Sequence, residues 1–132
     1  MAWEDLLDEF LRQQDLSLLD GLTPYEREHV IDALLAAAAR GNIPAIQGLA
    51  HLRADRAAEP LQAIMRRYGG TVRIYAAAAV WWLRRDPEAL GTLCTELTGR
   101  RPRRRTEDRV HAAAVLSQID HPDARRALAA VI

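Results

Sequence analysis

The sequence predicts an all-α protein, and three observations carry that expectation. Ala occurs 24 times in 132 residues against one Phe, three Tyr and three Trp, a balance that suits helices with small contact faces rather than sheets. Apolar residues return at helical spacing, and capping residues, Gly and Pro punctuate the chain at short intervals. At this length the chain fits one domain with a continuous core, and no Gly/Ser linker divides it.

The elements follow in order. Trp3, Leu6, Leu7, Phe10 and Leu11 fall at i, i+3, i+4, i+7 and i+8, which predicts an amphipathic helix with its acids on the opposite face. Asp15 to Leu22 reads as a connector. Thr23, Pro24, Tyr25 and Glu26 form a capping box opening a long helix that runs to Arg40 and stops at Gly41. Two-helix units come next. Ile43 to Leu52 is a short helix, Arg53 to Asp55 a turn, and Arg56 to Tyr68 a second helix ended by Gly69 and Gly70. Thr71 is the expected cap of a third helix, reaching Arg84 or Arg85, and Asp86 with Pro87 starts a fourth that ends near Gly99. Residues 100 to 105 form a loop. Thr106 opens a fifth helix, and Asp120, His121 and Pro122 separate it from the last.

The chain repeats itself. Setting Ala54, Asp86 and His121 equivalent aligns Ala57 with Ala89 and Ala124, and Leu61 with Leu93 and Leu128, at steps of 32 and 35 residues. Each step is the length of one helical hairpin, and such a hairpin buries its apolar face only by stacking on the next. Ala54, Asp55, Arg56, Ala57, Ala58, Glu59, Pro60 and Leu61 resemble the Asp-Pro-Arg-Ala-Val-Glu-Pro-Leu segment of the HEAT-like repeats first noted in phycobilin lyases. Asp86 to Leu90 and Pro122 to Ala124 repeat the core of that segment, with Asp55 in place of Pro and His121 in place of Asp. The resemblance covers residues 43 to 132. It implies a short right-handed α-solenoid of three stacked hairpins, with residues 1 to 40 as N-terminal capping helices, and it implies little about function.

The formal net charge of zero is the sum of unequal parts. Residues 1 to 39 carry nine acids and two Arg, giving −7, while residues 40 to 132 carry sixteen Arg and nine acids, giving +7. Every cation is Arg. With no Lys, Schiff-base chemistry and a phosphate-loop lysine are excluded, and planar bidentate donors remain. An Ala-rich, Arg-only composition fits a GC-rich bacterial genome. No apolar run approaches the roughly 20 residues of a membrane span, and the first residues lack the basic flank and apolar stretch of a signal peptide, so cytoplasmic residence is expected.

Catalytic and metal chemistry find no pattern. His29, His51, His111 and His121 are far apart in sequence, which suggests scattered surface residues, and Cys94 lacks a Cys partner. Its neighbours Leu90, Leu93 and Leu97 make Cys94 a small apolar packing group. No catalytic residue, cofactor or metal is expected. Three features suit binding: the Arg-rich loop with Arg100, Arg101, Arg103, Arg104 and Arg105; Trp81 and Trp82 with Arg85; and the acidic first helix with Asp5, Asp8 and Glu9. Adjacent residues stand about 100° apart on a helix, so Trp81 and Trp82 cannot both face one core.

The expected function is therefore a non-enzymatic protein-binding module. Similarity to small solitary repeat proteins implies an immunity protein that neutralises a toxin, and a basic toxin suits the acidic first helix. An alternative is nucleic-acid binding, since HEAT-like DNA glycosylases are similar in using basic concave surfaces with Trp and Asp; a pI of about 6.9 weighs against it. The second alternative, by resemblance to the founding members, is a bilin lyase-like enzyme. No membrane partner is expected.

Overall fold

The computed structural model describes residues 2–99 and 106–131, and across them every regular element is a helix. In chain order these are α1 (Trp3–Gln13), α2 (Pro24–Ala39), α3 (Ile43–His51), α4 (Ala58–Arg67), α5 (Gly70–Arg84), α6 (Pro87–Thr98), α7 (Thr106–Leu116) and α8 (Pro122–Ala129). Two 3-10 turns, Leu16–Leu19 and Asp55–Ala57, lie between α1 and α2 and ahead of α4. No described helix is long and apolar enough to cross a membrane.

The helix starts follow local chemistry. At Thr23 the capping box is complete: the hydroxyl accepts from the Glu26 amide at 3.2 Å, and the Glu26 carboxylate accepts from the Thr23 amide at 3.0 Å. The bond from the Thr23 amide, above all, holds the Glu26 carboxyl below its usual range. Asn42 and Asp86 cap α3 and α6 without the reciprocal bond, their side chains accepting from the Ala45 amide at 2.9 Å and the Glu88 amide at 3.0 Å. His121 occupies the equivalent position before α8, where its Nδ1 accepts from the Asp123 amide at 3.0 Å.

Two starts differ from expectation. The segment from Arg56 is not one helix; a 3-10 turn precedes α4, with the Ala57 amide bonded to the Ala54 carbonyl at 2.8 Å. Pro60 is the cause, because it has no amide to return to Arg56 and leaves the tighter turn as the available geometry. Thr71 does not cap α5. Gly69 holds that position without a side-chain cap, and the Thr71 hydroxyl donates instead to Asp108 of α7 at 3.1 Å.

Packing joins neighbours and next-neighbours. The most extensive interface is α4 against α5, followed by α5 on α6 and α6 on α7. Helices two apart also touch: α3 with α5, α5 with α7, α2 with α4, and α6 with α8. α3 packs mainly on α2 and α5. One hydrophobic cluster runs from Leu7 to Ala127, and the repeat positions feed it: Ala57, Ala89, Ala124, Leu61 and Leu93 are fully buried, while Leu128 is partly buried against the same cluster. The Ala76 to Ala79 run keeps α5 thin where helices crowd it from several sides. Gly48 lets α3 pack tightly on its neighbours, since a Cβ there would meet Phe10, Leu19 and Leu34 at 3.1–3.2 Å.

The charge asymmetry of the sequence is partly consumed inside the fold. Arg56, just ahead of α4, pairs with Glu28 and Asp32 of α2 at 3.0 Å each, and Arg67 donates to the Ala39 carbonyl at 2.7 Å. Basic residues of the second half thus fasten the end of the acidic first half.

Candidate functional site

The ends of α3 and α5 break a local rule. α2 closes conventionally, with Gly41 at φ +83° and the Gly41 and Asn42 amides returning to Ala38 and Ala37. α3 closes with the same pair of bonds, from Arg53 to Ala50 and from Ala54 to Leu49, but the left-handed position holds Arg53 at φ 52°. α5 ends on Arg85, also at φ 52°, with its amide bonded to the Trp81 carbonyl at 2.7 Å. A side chain in this region costs about 1 kcal/mol relative to Gly. Both positions keep an Arg all the same.

Those two residues line one hollow. It has a volume of about 670 Å³, a size suited to a ligand or an inserted side-chain cluster, and lies among α3, α5, the end of α7 and the first 3-10 turn. Ala50, Ala78, Ala79 and Leu83 contribute an apolar wall, Gln47 and Gln118 offer amides, and Trp82 stands in it. The two indoles part company as helix geometry requires. Trp81 is 7% exposed and belongs to the core, whereas Trp82 is 41% exposed. Arg85 stacks across both, its guanidinium carbon 5.5 Å from the Trp81 ring centre and 5.0 Å from that of Trp82.

Most arginines elsewhere on the described chain are neutralised. Arg66 pairs with Glu88, Arg73 with Glu96, Arg84 with Asp55, Arg125 with Asp120 and Arg126 with Asp123. Arg53 and Arg85 have no carboxylate partner among the described residues. The acid of the hollow, Asp55, is taken by Arg84 at 2.8 Å, so the free charge there is positive.

Of the residues the sequence singled out, Trp82 and Arg85 come together in this groove. Asp5 and Asp8 are exposed on α1, and Glu9 is engaged by Arg12 and Gln13 of its own helix; none of the three lines the hollow. Arg100, Arg101, Arg103, Arg104 and Arg105 lie outside the described residues. Sequence reasoning missed Arg53, Gln47 and Tyr75. The available signal for Arg53 was a helix stop without Gly, which it shares with Arg85.

The four histidines lie apart from one another near the surface, each with its own partner. His29 stacks on Trp3 with ring centres 5.3 Å apart and meets Tyr25 edge-on, His51 bonds Asp20 at 2.9 Å, His111 lies 2.8 Å from the Tyr75 hydroxyl, and His121 caps α8. Each has a structural partner, and no group of three or more His, Cys, Asp or Glu among the described residues is arranged to hold a metal. Cys94 is half-buried and donates weakly to the Asp123 carbonyl at 3.8 Å. Burial, and then the charge of Asp123, push its thiol pKa up, away from the reactive thiolate.

No protein-family model matches the chain, nor does any curated protein or solved structure. The groove therefore stands on its own geometry.

Proposed function

We propose that this protein is a non-enzymatic protein-binding module: a short right-handed α-solenoid of stacked HEAT-like hairpins that receives a partner protein on the face made by α3, α5 and α7. Support for the solenoid comes from α3, α5 and α7 touching in one continuous series, with α2 on α4 and α6 on α8 beside it, the kind of next-neighbour contact that stacked hairpins make. The observation that carries the binding reading is Trp82. A large aromatic stands 41% exposed in a hollow of about 670 Å³ and is flanked by cations without acid partners. Exposed aromatics and arginines at the centre of a concavity are the residue types that dominate binding energy at interfaces.

The immunity form of this reading assigns the partner as a basic toxin. It draws on Glu4, Asp5 and Asp8, which remain exposed on α1 and supply a negative surface to steer a cationic partner. Tagged protein purified from its native cells is expected to bring down a specific partner, and Trp82→Ala is expected to lose it without loss of helicity by circular dichroism. Retention of the same partner by Trp82→Ala would refute the groove as the binding face. Co-expression with the product of an adjacent gene tests the immunity form: a tight complex whose association slows with salt is expected, and no complex with any neighbour removes it.

A further inference from the structure

We infer that the groove recognises an acidic segment of its partner, with carboxylates held by Arg53 and Arg85 and an apolar side chain of the segment laid on Trp82 and the alanine wall. This rests on the groove being the partner site and adds the chemistry that it selects.

Charge complementarity is the argument. Two guanidiniums border the same hollow with no carboxylate partner among the described residues, whereas Asp55, the acid in its lining, is already bonded to Arg84. An incoming carboxylate thus meets donors that need not be released from another acid, and Arg presents the planar fork that matches a carboxylate bidentately. The helix ends do not supply this attraction: Arg53 and Arg85 sit at C-termini, whose dipoles weakly repel an anion, so the side chains themselves must provide it. Both occupy backbone positions where Gly is the unstrained choice, which separates the worth of the side chain from the worth of the turn.

The apolar half of the site sets the rest of the ligand. Ala50, Ala78, Ala79 and Leu83 beside Trp82 form a surface that a hydrated carboxylate alone cannot use. An acidic stretch interrupted by Leu or an aromatic residue satisfies both halves. A nucleic-acid backbone is a poorer fit, because it calls for a track of cations along its phosphates rather than cations beside an alanine wall.

Titration of the full chain, followed by Trp emission and by anisotropy of the labelled probe, tests the inference. The probes are a synthetic peptide of Glu and Asp interrupted by Leu, its Gln/Asn counterpart, and oligothymidylate. The acidic peptide is expected to bind with an affinity that falls as salt rises, and the amide counterpart to bind at least about tenfold more weakly. Arg53→Gly and Arg85→Gly are each expected to weaken the acidic peptide by about tenfold while the melting temperature stays level or rises, since Gly relieves the left-handed position. Arg40→Gln removes the same charge from a residue that does not line the groove and is expected to leave binding unchanged.

Equal binding of the amide peptide, tighter binding of oligothymidylate, or an equal loss in Arg40→Gln each overturns the inference. If the acidic peptide fails to bind while Trp82→Ala still loses the cellular partner, the acidic chemistry falls and the groove remains the partner site. If Trp82→Ala keeps that partner, the parent reading falls instead.

Discussion

Two hollows on this molecule use arginine in opposite ways. The smaller, about 400 Å³, lies among α4, α5 and α6, and its charges are answered internally: Arg66 by Glu88 at 2.8 Å and Arg73 by Glu96 at 3.6 Å. Arg73 Nε also donates to the carbonyls of Met65 and Tyr68, tying off the end of α4. The larger hollow, on α3, α5 and α7, holds Arg53 and Arg85 without carboxylates and with an exposed indole between core and solvent. A cation whose donors are filled by its own fold acts as a fastener. One left open beside apolar surface has its interaction still to make.

Substitutions that exchange these roles test the contrast. The largest effect is expected at adjacent indoles: Trp81→Ala should cost about 3–4 kcal/mol of unfolding free energy, as removal of a buried aromatic does, whereas Trp82→Ala should cost about 1 kcal/mol or less. Urea denaturation of both variants decides it, and equal losses would place Trp82 in the core instead of the groove. Next in size is Arg73→Met, expected to cost about 2 kcal/mol because it removes one ion pair of the buried Glu96 and frees the carbonyls of Met65 and Tyr68. The matching change Arg85→Met should cost about 1 kcal/mol or less, the worth of an exposed cation–π contact.

The smallest expected effect is the part of the pH dependence that the paired hollow contributes. The hydrogen bond from Arg66 holds the Glu88 carboxyl below its ordinary 4.5. A carboxyl depressed in the folded state stabilises fully above its unfolded value, and that contribution is lost as pH falls through the folded value. Thermal melts between neutral pH and pH 3 should therefore show a slightly shallower acid loss in Glu88→Gln than in the unaltered protein. Identical slopes would show that the Arg66 contact contributes nothing.

Legibility in the sequence followed the range of the interaction. The capping box at Thr23, the stop at Gly41 and the cap at Asp86 involve residues only a few positions apart, so the chain states them directly. Thr71 looked like a cap by the same local logic, but Asp108, 37 positions away, competes for its hydroxyl. The two Trp could be split by helix geometry in principle, yet which one faced water depended on where α5 sits among α3, α4, α6 and α7. Arg53 had no sequence neighbour to mark it; its relation to Arg85 exists because α3 and α5 lie side by side.

By itself the sequence determined the helices and most of their ends, because caps, proline and helical periodicity act over single turns. It also marked Ala57, Ala89 and Ala124 as buried positions, since the repeat returns the same small residue to equivalent places along the chain. Only the tertiary structure decided which arginines are neutralised and which stay open. Ion pairs form between side chains that share no local spacing, and their formation depends on the few ångströms that helix packing sets.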